Sequence, residues 1–190
     1  MQTEEKKPEI IVFAGPNGSG KSTITKLARV IDPYINADDI KRTIHCSDLE
    51  AALKAEELRE TALSNNADFT FETVLSTERN INLLKRAEEQ GYFVRCIYIL
   101  TDNSEINEIR VLARESHGGH GVPTEKIRSR YDRCLRVIPE LVKICDVMHI
   151  YDNSKEPFRI FKKRKTEYFY WENEFWSKTR IEELTGIKLN

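Results

Sequence analysis

IIVFAGPNGSGKST, residues 10–23, joins a run of five apolar residues to a glycine-rich segment that ends in Lys-Ser-Thr. An unbroken apolar run of this length is typical of a strand buried on both faces of a parallel sheet. The segment 15–22 matches the pattern GxxxxGK[ST], and residues 22–30 are predicted to form a helix. A strand, a glycine-rich turn and a helix in this order predict a P-loop, which binds phosphate groups.

The residue types in this loop suit a nucleoside triphosphate. Glycines let successive backbone N–H groups converge on phosphate oxygens, and the following helix presents the positive end of its dipole. Lys21 is expected to reach the β and γ phosphates, and the Ser22 hydroxyl is expected to bind Mg²⁺. The sequence therefore predicts ATP and Mg²⁺ as cofactors. The predicted cofactor-binding residues are Gly15, Pro16, Asn17, Gly18, Ser19, Gly20, Lys21, Ser22 and Thr23.

Predicted strands and helices alternate as far as residue 151. Further strands are predicted at 34–36, 68–72, 93–100 and 147–151, with helical segments at 39–65, 77–90, 102–116 and beyond Pro123. Pro139 is expected to kink or split the last of these helices. Alternation of this kind implies right-handed crossovers and a parallel sheet covered by helices on both faces, which is a three-layer α/β fold.

The character of the sequence changes after Asn153. Residues 158–163 and 167–171 are predicted to form two strands around a basic turn, followed by a helix that ends near Gly186. We therefore divide the chain into a core at 1–155, with a lid at about 114–130, and a C-terminal appendage at 156–190. The appendage is predicted to be a hairpin and a helix that pack on the core.

Composition limits the expected partners. The 190 residues include 30 basic and 31 acidic ones, a formal net charge of −1, so no overall positive field attracts the chain to nucleic acid or anionic lipid. The 4 cysteines lack the spacing of a metal site, and no apolar stretch approaches the roughly 20 residues that span a bilayer. The sequence predicts a cytoplasmic protein with no membrane partner, and nucleic acid is not its expected ligand.

Carboxylates follow the second predicted strand, in the segment INADDI. Parallel strands place their carboxyl ends at one edge of the sheet, where ligands bind. Asp38 is our candidate general base, which would accept the proton of an attacking substrate hydroxyl. Asn36 is a candidate for binding the substrate. The alternative is that Asp38 or Asp39 caps the next helix, a frequent role of aspartate.

Glu72 and Thr73 close the third predicted strand at the same edge. The glutamate is expected to bind substrate hydroxyls or to support Mg²⁺ through water. The alternative is a solvated strand end, because charged residues often finish strands. The predicted substrate-binding set is Asn36, Asp38, Glu72 and Thr73.

Arginines surround the glycine-rich segment 118–121, and this combination predicts a lid. Phosphoryl transfer needs cations over the oxygens of the moving group, and the fixed charge of arginine supplies them. The candidate lid cations are Arg114, Arg128 and Arg130. The last two flank the apolar stripe of their predicted helix. The alternative for each arginine is a solvated helix face, and His117 and His120 are interpreted as loop residues.

Aromatic residues at 168–171, 175 and 176 follow the basic segment 162–165. Such a combination resembles a nucleic-acid surface. We prefer the alternative, in which the rings form a core under a basic hairpin, because the chain has no net basic excess.

Taken together, these segments resemble the zeta-toxin family of P-loop kinases. The matching pieces are GPNGSGKST, INADDI, FETVLST, RESHGGHGVPTEKIRSRYDR and YDNS. They extend from the first strand to Asn153, and a spaced set of this kind is far more specific than the P-loop alone.

The resemblance implies a nucleotide-kinase-like P-loop NTPase fold with a mainly parallel five-stranded sheet. It implies ATP as the phosphoryl donor, a nucleotide sugar such as UDP-N-acetylglucosamine as the acceptor, and an antitoxin protein as a partner. By position, Lys21 would be the P-loop lysine, Asp38 the general base and Glu72 part of the substrate site. Arg114 and one of Arg128 or Arg130 would be the lid cations.

Two other functions share these motifs. One is a P-loop kinase for another small acceptor, such as an antibiotic or a metabolite, which would differ only in the acceptor pocket. The other is an ATP-binding regulatory module whose arginines contact the phosphate backbone of a nucleic acid. Binding that depends steeply on salt, without a small acceptor, would favour the regulatory module.

Overall fold

The structure is a computed structural model that describes residues 6–116 and 123–189. Within these residues it contains seven strands and eight helices. The strands are β1 (Glu9–Ala14), β2 (Tyr34–Ile35), β3 (Phe69–Thr73), β4 (Phe93–Leu100), β5 (Val147–Asp152), β6 (Phe158–Arg164) and β7 (Glu167–Tyr170). The helices are α1 (Lys21–Thr25), α2 (Ala37–Ile44), α3 (Asp48–Ser64), α4 (Glu78–Glu89), α5 (Ser104–Ser116), α6 (Thr124–Arg136), α7 (Ile138–Ile144) and α8 (Lys178–Thr185).

These strands form one sheet, in the order β2-β3-β1-β4-β5-β6-β7. The strands β1 to β5 run parallel, and β1 lies in the middle of them, between β3 and β4. Every residue of β1 is buried, as the apolar run predicts. The predicted α/β fold is confirmed. Because parallel strands share an edge for their carboxyl ends, the loops after β1, β2 and β3 open on the same edge of the sheet.

The sheet contains two strands more than the five expected. β6 pairs antiparallel with β5, where Ile150 lies opposite Phe161, and β7 pairs antiparallel with β6. Ile160 and Phe161 are fully buried, so β6 covers apolar surface and satisfies backbone groups that would otherwise lie at an exposed edge. The predicted C-terminal hairpin therefore extends the parallel sheet by two antiparallel strands.

The helix after the P-loop is shorter than predicted. α1 ends at Thr25, and the N–H groups of Leu27 and Ala28 bond to carbonyl oxygens three residues back, at Ile24 and Thr25. Bonds of this spacing belong to tight turns and not to an α-helix. The Leu27 side chain is 86% exposed, so it contributes no core contact to a longer helix. The chain leaves the helix before residue 30.

The split expected at Pro139 is present. α6 and α7 are separate helices, and Pro139 lies in the first turn of α7, where its missing N–H costs no hydrogen bond. The buried side of α6 carries Ile127, Tyr131 and Cys134, which belong to the predicted apolar stripe. The proline thus ends one amphipathic helix and begins the next.

Each face of the sheet has its own core. The larger core includes buried residues of β1, β3, β4, α4, α7 and α8. The smaller core contains Ile11, Phe13 and Ile99, which pack against Ile24 of α1 and Ala28 just after it. Apolar contact therefore fixes α1, and with it the end of the P-loop, to β1 and β4.

Two side chains tie the C-terminal helix to the rest of the fold. Trp176 is 1% exposed, and the guanidinium of Arg180 lies 4.0 Å from the centroid of its ring. Arg180 also pairs with Asp102, just after β4, and donates to the Asp102 carbonyl oxygen at 2.8 Å. The end of the chain is thereby bonded to the loop between β4 and α5.

Most of the cysteines are buried and pack as apolar side chains. Cys96, Cys134 and Cys145 are buried free thiols, and Cys46 is half-buried. Burial raises the pKa of Cys134 to about 12, so this thiol is neutral and packs as a small hydrophobe. None of the helices in residues 6–116 and 123–189 combines the length and the apolar character that crossing a membrane requires.

We expect Trp176→Ala to lower the free energy of unfolding by about 3–5 kcal/mol, because it removes a buried ring and leaves a cavity. Urea unfolding followed by circular dichroism measures this loss. Trp171→Ala is the matched control, since Trp171 is 36% exposed, and we expect it to cost less than about 1 kcal/mol. Equal losses for the two substitutions would contradict the burial of Trp176.

Candidate active site

Polar residues from three motifs meet at the carboxyl edge of the parallel strands. The P-loop follows β1, Asn36 follows β2, and Glu72 lies near the end of β3. β1 and β3 are neighbours in the sheet, with Phe13 opposite Glu72 and Ala14 opposite Thr73. The side chains expected at the site are therefore brought together by the order of the strands.

The path of the P-loop requires glycine, as the surroundings of Gly15 and Gly20 show. Gly15 has φ = 143°, and a Cβ placed on it would collide with the carbonyl oxygen of Ile99 in β4. Gly20 has φ = 90° and precedes α1 as its N-cap, and a Cβ there would collide with the side-chain amide of Asn153. L side chains rarely adopt these backbone conformations. The path of the loop beside β4 therefore requires both glycines.

The Lys21 side chain lies inside the loop. Its Nζ donates hydrogen bonds to the carbonyl oxygens of Gly15 and Pro16, at 2.9 and 3.0 Å, and the residue is buried. Burial lowers the pKa of Lys21, while the negative charges of Glu72 and Asp38 act in the opposite direction. The amine is thus enclosed by the loop and lies within electrostatic reach of two carboxylates.

The loop also contains a buried hydroxyl without a partner. Ser19 is fully buried, and no residue in the described part of the chain makes a hydrogen bond with its Oγ. A buried hydroxyl of this kind is unfavourable unless a ligand satisfies it. Together with the backbone N–H groups and the Lys21 amine, it makes a donor set that suits the phosphate oxygens of a nucleotide.

Glu72 connects the P-loop to β2. Ser22 Oγ donates to its Oε1 at 3.2 Å, and the Tyr34 hydroxyl donates to its Oε2 at 2.9 Å. Asn36 Nδ2 donates in turn to the Tyr34 hydroxyl at 3.1 Å. Burial and the negative charge of Glu72 raise the pKa of Tyr34, so the phenol stays protonated and continues to donate. Glu72 is half-buried and bonded through both oxygens, unlike a solvated strand end.

Neither aspartate of INADDI caps the following helix. The cap of α2 is Asn36, whose Oδ1 accepts the N–H of Asp38 at 2.8 Å. Asp39 pairs with Arg42 one turn further on. The Asp38 carboxylate is exposed in the first turn of α2, and no residue of the ranges 6–116 and 123–189 bonds to it. The geometry leaves Asp38 accessible to a ligand at the sheet edge.

The hydroxyl of Thr73 is engaged within its own turn. It accepts hydrogen bonds from the N–H of Leu75 at 3.1 Å and from Nδ2 of Asn80 at 2.8 Å. Both partners follow Thr73 in the chain, and the bonds fix the connection between β3 and α4. The structure therefore gives this predicted substrate-binding residue a role in shaping the backbone beside Glu72.

Two of the predicted lid arginines have different partners. Arg130 Nη1 lies 3.4 Å from Oδ1 of Asn17, so this side chain reaches the P-loop. Arg128 instead forms an ion pair with Glu108 of α5 through two of its nitrogens. The ion pair raises the pKa of Arg128 and lowers that of Glu108. The structure thus brings Arg130, and not Arg128, to the phosphate-binding loop.

The lid predicted at about 114–130 is described only in part. Arg114 lies in the last turn of α5, and its positive charge lowers the pKa of Lys21 in addition to the larger effect of burial. α5 and α6 pack against each other on either side of the segment 117–122. That segment, with His117 and His120, lies outside the described residues.

The loop after β5 supports the P-loop. Asn153 Nδ2 donates to the carbonyl oxygen of Ser19 at 2.8 Å. Arg110 of α5 donates to the carbonyl oxygens of Asn153 and Ser154 at 2.7 and 3.0 Å. The motif YDNS contains Asn153, but the sequence did not predict that its side chain bonds to the phosphate-binding loop.

Asn107 supports the P-loop from the other side and was missed by sequence reasoning. It is fully buried in α5, and its Nδ2 donates to the carbonyl oxygen of Asn17. The hydroxyl of Thr101 donates to its Oδ1. The signal in the sequence is a polar residue on the buried side of a helix, one turn before the buried Val111. A buried amide at such a position needs partners, and here the P-loop backbone is one of them.

The sequence of this chain is similar to a known protein family and to the sequence of another protein. The family model described as Zeta toxin matches residues 1–166, which include the P-loop, Asp38, Glu72 and Arg130. An uncharacterized protein of Haemophilus influenzae is 33% identical over 127 residues, which are 64% of this chain and 91% of that protein. The match to the family ends in the turn between β6 and β7.

Two solved structures illustrate the similarity of the fold. A chain of the AvrRxo1-ORF1:AvrRxo1-ORF2 complex with sulphate ions has a TM-score of 0.71 and 16% identity, and the match covers 96% of this chain and 65% of that one. This chain therefore spans less than two thirds of that protein. A chain of the PezAT toxin-antitoxin system of Streptococcus pneumoniae has a TM-score of 0.59 and 16% identity, with 99% of this chain and 82% of that chain covered. At 16% identity, these similarities show a shared fold alone.

We expect Gly15→Ala to impair nucleotide binding, because the added methyl group would push the loop away from β4. Overpacking of this kind costs about 1–3 kcal/mol, equivalent to about a 5- to 150-fold loss of affinity. Calorimetric titration with ATP and Mg²⁺ measures the loss. Gly91→Ala is the matched control, because Gly91 also has a positive φ, of 84°, but a Cβ there meets no atom within 4 Å. Wild-type affinity in Gly15→Ala would contradict the described path of the loop.

Proposed function

Because the chain belongs to the zeta toxin family of P-loop kinases, we propose that it transfers the γ-phosphoryl group of ATP to a hydroxyl group of a nucleotide sugar. The protein is a phosphotransferase, and UDP-N-acetylglucosamine is the acceptor to test first. One observation supports the proposal above all. Lys21 is enclosed in the loop after β1, Glu72 of β3 accepts a hydrogen bond from Ser22 of the same loop, and Asp38 follows β2. A phosphate-binding cation and two carboxylates thus lie at one edge of the sheet.

The P-loop would bind the donor. Its backbone N–H groups and the Lys21 amine would hold the β and γ phosphates, and the buried Ser19 hydroxyl would gain an acceptor there. Donors fixed in a buried loop stabilise the negative charge of the transition state without having to reorganise. The bonds from Asn107 and Asn153 to the loop backbone would keep these donors in place.

Mg²⁺ fits the oxygen atoms beside the loop. Ser22 Oγ and Glu72 Oε1 lie 3.2 Å apart, and hard cations prefer oxygen ligands. Residues 6–116 and 123–189 contain no cluster of three His, Cys, Asp or Glu side chains that could hold a metal ion. Ser22, with Glu72 directly or through water, would therefore hold the ion together with phosphate oxygens. When bound, Mg²⁺ would neutralise charge on the β and γ phosphates.

Asp38 is the proposed general base. Its exposed carboxylate would accept the proton of the acceptor hydroxyl while the hydroxyl oxygen forms a bond to the γ phosphorus. The bond between that phosphorus and the β–γ bridging oxygen would break, and ADP would leave with the bridging oxygen. The helix cap supplied by Asn36 leaves the Asp38 carboxylate free of a structural hydrogen bond among the described residues.

Arg130 and Arg114 are the proposed cations over the transferred group. Arg130 reaches Asn17 of the P-loop, and Arg114 is close enough to affect the charge of Lys21. Their guanidinium groups would stabilise the charge on the equatorial oxygens of the moving phosphoryl group. Arg128, which was an equal candidate in the sequence, would act indirectly by joining α6 to α5 through Glu108.

The acceptor would lie between Asp38 and the polar chain of β2 and β3. Tyr34, Asn36 and Glu72 form a connected series of donors and acceptors there. A sugar carries many hydroxyl groups and suits such a surface, because each buried polar group needs a partner. The hydrogen bonds of Thr73 within its turn would give it an indirect part in positioning Glu72.

We also propose an antitoxin protein as a partner and the cytoplasm as the location. The PezAT structure concerns a toxin-antitoxin system, and the shared family supports a similar partner for this chain. Four free cysteines and a donor such as ATP fit a reducing compartment. Copurification of the chain with a protein from the same operon would test the partner.

We expect Asp38→Asn to reduce kcat by about 100- to 10,000-fold with little change in ATP affinity, since an amide cannot accept the proton. The measurement is acceptor-dependent ADP release over a panel of nucleotide sugars, antibiotics and metabolites, with mass spectrometry of the product. Asp39→Asn is the matched control, because it removes the neighbouring carboxylate, which pairs with Arg42.

The results separate the possible roles of Asp38 and of the acceptor. Equal losses in the two variants would refute Asp38 as the base. A phosphorylated antibiotic or metabolite, with no turnover of nucleotide sugars, would keep the base and replace the acceptor. Absence of any acceptor-dependent ADP would refute the proposed kinase reaction on this panel.

We expect Arg130→Ala to lower kcat by about 100-fold or more, because one charged group facing the transferred phosphoryl is lost. Arg128→Ala removes the same side chain two residues earlier on α6. Because its partner Glu108 is buried, we expect this variant to lose stability but to keep more of its kcat than Arg130→Ala does. Steady-state kinetics of both variants are the measurement. A larger kcat loss in Arg128→Ala than in Arg130→Ala would overturn the assignment.

A further inference from the structure

The antiparallel end of the sheet has a face lined with rings and cations. The register places His149 opposite Lys162 and Lys162 opposite Phe169, so these three side chains lie on one face. An irregularity after Ile150 shifts the pairing and brings another row, with Arg159, to the same side. We call this surface the open face, and it consists of His149, Tyr151, Arg159, Lys162, Phe169 and Trp171. Each of these residues is half-exposed or exposed.

Cations and aromatic rings are paired across the open face. The guanidinium of Arg159 lies 4.4 Å from the ring centroid of Trp171, and Nζ of Lys162 lies 5.5 Å from the centroid of Phe169. The rings of His149 and Tyr151 are nearly parallel, at 14°, with centroids 6.3 Å apart. The face therefore presents flat rings next to fixed positive charges.

The positive charge of the open face is not neutralised by neighbouring acids. Across the ranges 6–116 and 123–189, neither Arg159 nor Lys162 takes part in an ion pair. Of the acidic residues in the paired strands, Glu167 lies opposite Arg164 at the end of the hairpin, and Asp152 lies opposite Phe158 and is buried. Burial, Arg159 and Lys162 lower the pKa of His149 to about 4, so its ring is neutral near pH 7.

We infer that the open face binds single-stranded nucleic acid. Proteins hold single strands by stacking bases on aromatic rings or arginine planes and by placing cations along the phosphates. Strands lie about 4.8 Å apart and alternate residues about 6.7 Å apart, so β5 to β7 have room for two or three nucleotides. The net charge of −1 is compatible with binding at this face, because it is summed over the whole chain and acidic residues elsewhere offset a local positive patch.

This inference revises the earlier interpretation of the aromatic C-terminal segment. Trp176 does form core, as preferred from the sequence, with 1% exposure. Phe169 and Trp171, in contrast, are 42% and 36% exposed, and each lies beside a cation. The segment therefore divides into a buried part that anchors α8 and an exposed part that belongs to the open face.

An acidic peptide fits the open face less well. It would use the charges of Arg159 and Lys162 but would leave the exposed rings of Phe169 and Trp171 without planar partners. A nucleic acid supplies both a phosphate for each cation and a base for each ring. Duplex nucleic acid fits poorly, because its bases are stacked inside the helix and out of reach.

The test is fluorescence anisotropy of the full chain with labelled oligouridylate and oligothymidylate of ten residues, titrated at several salt concentrations. We expect binding whose logarithmic salt slope is about −1.4, because two cations, Arg159 and Lys162, meet phosphates of a single strand. Phe169→Ala and Trp171→Ala should each weaken binding by about 5-fold or more through loss of stacking.

Matched variants separate this surface from the active site and from loss of folding. Tyr168→Ala removes an exposed ring from the other face of β7, and Lys143→Ala removes an exposed charge from α7. Both should bind as wild type does, whereas Lys162→Ala should bind several-fold more weakly. Circular dichroism shows whether each variant is folded. Lys21→Ala should lose ATP binding and keep oligonucleotide binding. The experiment therefore tests oligonucleotide binding by the open face independently of the proposed kinase reaction.

Four outcomes would overturn the inference. The first is no binding of either oligomer at low salt. The second is binding that Phe169→Ala and Trp171→Ala leave unchanged while both remain folded. The third is loss of binding in Lys21→Ala, which would place the oligomer at the P-loop. The fourth is equal binding of duplex DNA or of a polyglutamate of the same charge, which would mean recognition of charge without bases.

Discussion

The close passage of the P-loop over β4 is the constraint on which the site depends. Gly15 lies against the carbonyl oxygen of Ile99, and this contact leaves no space for a side chain. Since β4 is itself held between β1 and β5, the loop is pressed against the rigid centre of the sheet. Lys21 is enclosed as a result, and its amine faces the same edge as the carboxylates after β2 and β3.

Around that contact, two side-chain amides from other segments of the chain support the loop. Asn107 and Asn153 donate to its carbonyl oxygens from two sides. Neutral donors can hold the backbone without competing for the phosphates, whereas a lysine or arginine in the same place would attract the ligand itself. The charged groups nearby, Glu72 and Arg130, contact side chains of the loop and thus lie where a triphosphate would meet them.

The sequence predicted those parts of the structure that short segments determine. The apolar run before Gly15, the strand at 93–100 and the break at Pro139 are each set by a few adjacent residues, and all three are present. The partners of Arg128 and Arg130 were not predictable. Both lie beside the apolar stripe of α6, and only the position of Glu108 on another helix distinguishes them. The bond from Asn107 to Asn17 likewise joins distant segments of the chain. The cap at Asn36 is a local contact, but Asp38 and Asp39 were equally suitable caps by residue type. The hairpin was predicted, whereas its pairing with β5 was not.

The C-terminal segment lies outside the family match but contacts the structure around the site. The family match stops at residue 166, before β7 and α8. Arg180 of α8 nevertheless pairs with Asp102, which lies just before α5, the helix that carries Asn107. A segment outside the residues that the family model matches is therefore bonded to the scaffold of the candidate active site. Removal of residues 167–190 would leave the Asp102 carboxylate without this cation, so the segment outside the family match contributes to the structure around the site.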